Sequence, residues 1–168
     1  MSMNMEIKPW LFAVEPLPGE SLSHFLGRVR RRNHISATQL GRLAGIGAVV
    51  SRWEKFYHNP FPSGEELGAL GALLGVDATT LRAMLPPQGE SMTIKSIRLC
   101  GACYGEVPYH RLEWQFQSTR RCEKHGLLLL PRCPNCRAPF KIPALWEYGA
   151  CNRCGIPYGG LQRYQKAA

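Results

Sequence analysis

Apolar residues in the first half of the chain recur with helical spacing. Leu22, Phe25, Leu26 and Val29 stand at i, i+3, i+4 and i+7, the stripe of a helix that buries one face. Ser21 or Ser23 is placed to cap its start. In SATQLGRLAG, Ser36 precedes Gln39 by three residues, a capping-box pattern. Gly45 and Gly47 then bracket Ile46 in a predicted turn. AVVSRWEKFY spaces Val49, Trp53, Phe56 and Tyr57 for a third helix. NPFP interrupts the pattern. It resumes with a second capping box at Ser63 and Glu66, the stripe Leu67, Leu70 and Leu74, and Gly75 as the stop. Asp77 caps a short last helix, ATTLRAML, which Pro86 and Pro87 end. Two helices joined by a tight glycine turn within such a set make a helix-turn-helix pattern.

Beyond PPQGESM the helical period is lost. The runs RLEWQF, LLLL and PFKIP read as short β segments between turns and cysteine pairs. The expected organisation is an N-terminal extended tail (1–20), a helical domain (21–87), a linker (88–92), a tandem zinc-finger domain (93–160) and a C-terminal tail (161–168). The predicted fold class is mixed: an all-α helix-turn-helix-like bundle followed by a small zinc-ribbon-like region.

Composition changes the picture in three ways. A hydrophobic share of 45% provides a packed core and excludes a disordered chain. No run approaches the roughly 18 apolar residues of a membrane span. MSMNMEIKPWLF lacks the apolar core and cleavage site of a signal peptide, so the bacterial cytoplasm is the expected compartment. The formal charge of +9 lies mostly in the second half, where residues 91–168 carry 12 Lys and Arg against 4 acids. Seven thiolates and two Zn²⁺ would reduce the total to about +6, still basic enough for non-specific contact with DNA phosphates.

All seven cysteines fall between positions 100 and 154. Cys100-x2-Cys103 is followed after 18 residues by Cys122-x2-His125, and Cys133-x2-Cys136 after 14 residues by Cys151-x2-Cys154. A C-x2-C turn brings two thiolates to one ion, and Zn²⁺ takes four N or S donors in a tetrahedron. An odd cysteine count disfavours a disulfide framework, and the spacings are not those of ferredoxins. The spacing therefore predicts two structural Zn²⁺ ions, one Cys₃His and one Cys₄, with sequential or interleaved pairing left open. Four protein ligands leave no site for a reactive water. No phosphate-binding loop, nucleophile elbow, H-E-x-x-H or carboxylate cluster is present, so no catalytic residue is expected. His24, His34, His58 and His110 have no partner at ligand spacing and are expected on the surface or in helix packing.

The order PLPGESLSHFLGR, C-x-x-C, RLEWQF, CEKHGLLLL and CPNC resembles the TniQ family over roughly residues 8–158. Its first knuckle reads CGAC where the family commonly has CPxC; the proline is not a ligand. The resemblance implies a target-selection adaptor of a Tn7-like transposon. The short reach past the second cysteine set looks like the compact form found with type V-K CRISPR-associated transposons. It further implies two kinds of partner: an RNA-guided type V effector with its guide and tracr RNA, and the AAA+ ATPase TnsC. Candidate partner-binding residues are Trp10, Phe12, Arg28, Arg30, Arg31, Arg32 and Arg42; candidate nucleic-acid contacts are Arg120, Arg121 and Lys124. The competing expectation is a stand-alone, zinc-stabilised helix-turn-helix DNA-binding regulator.

Overall fold

Ser21 opens the first helix of the computed structural model, which describes residues 11–168. Its side chain accepts from the His24 amide, and α1 runs Leu22–Asn33 to a left-handed cap at His34. Both predicted capping boxes form: Ser36 with Gln39 starts α2 (Ala37–Ala44), and Ser63 with Glu66 starts α4 (Gly64–Leu74). Gly75, the predicted stop, and Gly45, the first glycine of the predicted turn, end those helices with positive φ. Between them α3 (Val49–Glu54) packs on α2 and α1 as the helix-turn-helix partner, and α5 (Ala78–Arg82) packs on α4. Leu22, Phe25, Leu26, Val29, Leu40, Val50, Trp53, Leu67, Leu70 and Leu81 fill one core.

The third helix is shorter than its apolar spacing predicts. It stops at Glu54; Phe56 takes a left-handed φ of 62° and leaves Tyr57 exposed. That bend sends the Phe56 ring into a second core with Leu99, Trp114, Leu130, Phe140, Trp146, Tyr158 and Leu161. Here a tertiary partner overrides helical periodicity.

The second region contains little regular structure. α6 (Gly101–Glu106) packs on a 3₁₀ segment, Tyr158–Tyr164, and β1 (Arg121–Cys122) pairs antiparallel with β2 (Leu127–Leu128). The β reading of RLEWQF is corrected, because Leu112–Gln115 forms a 3₁₀ turn that buries Leu112, Trp114 and Gln115 together. No strand forms in PFKIP either; its last residue, Pro143, opens another 3₁₀ turn, Pro143–Leu145. Of the predicted β runs, only LLLL contributes a strand.

Two seams tie this region to the helices. In one, the Ser21 amide donates to His110 O at 3.1 Å and the Leu112 amide to Gly19 O at 2.9 Å. Gln115 Nε2 donates to the carbonyls of Thr93 and Ser96, so its Oε1 accepts from the Arg98 amide and from His110 Nε2–H. His110 Nδ1 is then the acceptor for the Ser21 hydroxyl at 2.8 Å. The chain leaves no buried ring nitrogen of His110 unpaired. In the other seam, Pro143–Leu145 lies along α1. Ala144 donates its amide to Ser23 Oγ at 3.1 Å, and its carbonyl accepts from Arg31 at 2.6 Å. Gly27 permits this approach, since a Cβ there would sit 2.2 Å from Ala144 O.

Candidate metal centres

Cys100 is the residue before α6 and Cys103 lies in its first turn, so the helix start aims both sulfurs the same way. Cys122 ends β1, and the hairpin turn to β2 returns His125 to it. Gly126, at φ 62°, closes that turn by donating its amide to Cys122 O at 2.8 Å. The turns of the second group repeat this closure. Arg137 donates to Cys133 O and Gly155 to Cys151 O, both from left-handed backbone. Arg137 adopts there a conformation that glycine takes without penalty.

The four donor atoms of Cys100, Cys103, Cys122 and His125 lie within 4.8 Å of one another, as do those of Cys133, Cys136, Cys151 and Cys154. The grouping is sequential rather than interleaved. Within the first group, Cys103 Sγ is 3.4 Å from Cys122 Sγ and 3.3 Å from His125 Nδ1. Within the second, Cys133–Cys154 and Cys136–Cys151 are 3.7 and 3.5 Å apart. A tetrahedron with Zn–S near 2.3 Å has edges of about 3.8 Å, so both donor sets have the dimensions of one four-coordinate ion. Each group can therefore hold a metal ion.

The electrostatics of the donor sets fit a cation. Burial pushes the Cys103 thiol up, and pushes Cys133 up to about 12. Thiols packed this closely in a core resist ionising together until a cation compensates them. Cys154 is exposed, and hydrogen bonds from the Asn135 side chain and the Ile156 backbone lower it to about 6.

Three arginines of the cluster have partners within the chain. Arg28 forks onto Glu20 at 2.8 and 2.7 Å, and Arg30 onto Glu54 at 2.8 and 2.5 Å. Arg31 spends its guanidinium on Ala144 O. Arg32 stays exposed, 4.7 Å over the Phe12 ring, while Asn33 pins the Phe12 backbone. Trp10 lies outside the described residues. Arg28, Arg31 and Arg32 line a groove of about 790 Å³ beside Tyr148, which is 87% exposed.

A charge segregation emerges around this cluster. Residues 21–64 carry seven Lys and Arg and a single acid, Glu54, which is buried. Exposed Arg32, Arg42, Arg52 and Lys55 have no ion-pair partner among the described residues. Near the first metal group, Arg120 is exposed, Arg121 lies 3.5 Å from Glu123, and Lys124 pairs with Glu106.

Sequence reasoning missed the buried polar residues. Glu20 is fully buried; burial raises its carboxyl, but hydrogen bonds from His24 and Arg28 outweigh that and hold it below the usual range. His24 and His110 are buried with named partners, whereas His34 is exposed as the α1 cap. The signal for Glu20 was its place in GESLSHFLGR, one residue ahead of the cap and four and eight ahead of His24 and Arg28. Nothing local marked Ser21 and His110, which are 89 positions apart.

A helical unit joined to a region carrying two four-donor groups, each able to hold a metal ion, defines a small two-part protein. The family model for TniQ matches residues 11–129, and the chain belongs to the TniQ family. That family is one of non-catalytic transposition proteins, so a transposon-associated adaptor role within a Tn7-like machinery follows. No curated protein matches the chain. The first metal group lies inside the matched span and the second beyond it. No helix among the described residues is long and apolar enough to cross a membrane.

Proposed function

We propose that this protein is a non-enzymatic transposition adaptor of the bacterial cytoplasm, held in shape by two structural Zn²⁺ ions. It links an RNA-guided type V effector, with its guide and tracr RNA, to the AAA+ ATPase TnsC of a CRISPR-associated transposon. The observation that carries the reading is the TniQ match over residues 11–129. Cys100, Cys103, Cys122 and His125 hold one zinc, and Cys133, Cys136, Cys151 and Cys154 the other. Filled by four protein donors, each ion supplies folding free energy rather than a reactive water.

The chemistry left for the surface is recognition. Exposed Arg32 and Arg42, Phe12 beside Arg32, and Trp10, two positions before Phe12 in the sequence, form the TnsC-facing set. Arg28, Arg30 and Arg31 support it from within through their carboxylate and carbonyl partners. Arg120, Arg121 and Lys124 meet RNA phosphates, with Arg120 the most available. The exposed charges of Arg32, Arg42, Arg52 and Lys55 favour a polyanionic neighbour, the phosphate backbone of DNA included.

Co-sedimentation with TnsC, with and without ATP and duplex DNA, tests this reading. ATP-dependent co-pelleting that weakens in Arg42→Glu is the expected result. Absence of association, together with tight sequence-specific DNA binding by the protein alone, would instead make it a helix-turn-helix regulator.

A further inference from the structure

His125 uses its two ring nitrogens for different purposes. Nδ1 faces the sulfurs of Cys103, Cys122 and Cys100 at 3.3, 3.5 and 3.9 Å. Nε2 points the opposite way and lies 2.6 Å from Glu106 Oε1. A carboxylate only accepts, so Nε2 carries the proton and Nδ1 presents its lone pair to the sulfur cluster. The other Glu106 oxygen takes the Lys124 ammonium, so both faces of the carboxylate are held by consecutive residues of the Cys122–Gly126 turn. Glu106 is the last residue of α6, one turn beyond Cys103. One short helix thus delivers a sulfur donor and the group that orients the nitrogen donor.

We propose that Glu106 is the positioning residue of the first metal centre, fixing the His125 tautomer and ring plane so that Nδ1 meets the ion. The inference rests on the metal reading of that centre. It follows a general pattern in which a ligating imidazole donates its second N–H to a carboxylate, and loss of that partner weakens metal binding. The all-thiolate second centre has no tautomer to select, so the device is confined to the first. Glu106 is itself exposed, which places its effect at the low end of such losses.

The test uses the full chain loaded with zinc, and follows release to a chromophoric chelator. ¹¹³Cd NMR on the cadmium-loaded protein separates the S₃N centre from the S₄ centre and assigns each release phase. Glu106→Ala is expected to speed release from the first centre by about 10-fold and leave the second unchanged. Glu106→Gln keeps an acceptor oxygen and should retain most of the wild-type rate, with His125 still in the Nε2–H tautomer by ¹⁵N shift. Lys124→Ala should release near the wild-type rate. In a His125→Cys background, where no imidazole remains to be oriented, adding Glu106→Ala should change nothing. Wild-type release from Glu106→Ala, or an equal acceleration in the His125→Cys background, would overturn the proposal while leaving the metal reading intact. Absence of any metal at the first centre of the wild-type chain would overturn both.

Discussion

The two four-donor groups share their pair spacing but differ in how far they are buried and in what the intervening chain packs against. Cys100, Cys103 and Cys122 are buried among Leu99, Trp114 and Leu161, inside the second core. The C-terminal segment clasps that group: Gln165 Oε1 accepts from the Gly101 amide at 2.9 Å, and a Cβ on Gly101 would meet Gln162 N at 2.6 Å. The second group reaches the same core through buried Cys133 and Cys151, with Cys136 half-buried and Cys154 exposed. The loop between Cys136 and Cys151 carries Ala144 and Trp146 into the seam with α1. Both groups therefore contribute to one core, the first with three buried cysteines and the second with two, while the second also spans the loop that packs against α1. Similar ligand spacing says little about what a centre stabilises; the packing of the intervening chain decides it.

The sharpest way to break this contrast is to remove one ligand from each centre. Cys103→Ser takes a donor from the buried group, and should cost more than about 5 kcal/mol and abolish the near-ultraviolet signal of Trp114 and Trp146. Cys154→Ser should cost less, weakening the Trp146 contribution while leaving that of Trp114 largely in place. Equal losses, measured by urea unfolding, would mean the two centres carry the same load.

The next effect isolates the loop. Gly27→Ala places a methyl group against Ala144 O, forcing the seam apart at about 1–3 kcal/mol. Faster amide exchange at Ala144, with the α1 amides still protected, would locate the damage. Unchanged exchange there would contradict the close approach.

A pH dependence reports the other seam. Burial lowers His110 from its ordinary 6.5 to about 3. The folded state keeps this ring neutral while the unfolded chain protonates it, so its stabilisation is complete above pH 6.5. That stabilisation is lost as pH falls from 6.5 toward 3, at up to about 1.4 kcal/mol per pH unit. His110→Gln should flatten the slope between pH 7 and 5, with metal content verified at both ends. An unchanged slope would place the titration elsewhere, with His58 the first alternative, since burial lowers it to about 4. Smallest of all, Arg137→Gly relieves left-handed strain in the second group and should stabilise by about 0.5–1 kcal/mol in thermal unfolding.

The helices and their ends were readable because their causes are local. Ser36 with Gln39, Ser63 with Glu66, and Gly75 each act within one turn of the residues they satisfy. The eight donor positions were readable for a similar reason, as a C-x2-C pair is a short-range device. What could not be read depends on distant partners. Phe56 leaves its helix for a core assembled from residues 97–161, and Leu112–Gln115 coils so that Gln115 can serve Thr93, Ser96, Arg98 and His110 at once. Nor did anything local mark the partners of Arg28, Arg30 and Arg31, because Glu20, Glu54 and Ala144 O are brought to them by the tertiary fold.

Native mass spectrometry of the freshly purified chain, before and after alkylation of accessible thiols, tests the central claim most directly. Two zinc ions per chain are predicted, with all seven cysteines protected until a chelator is added. One ion or none, in a chain that keeps its folded circular dichroism, would contradict the two-centre account.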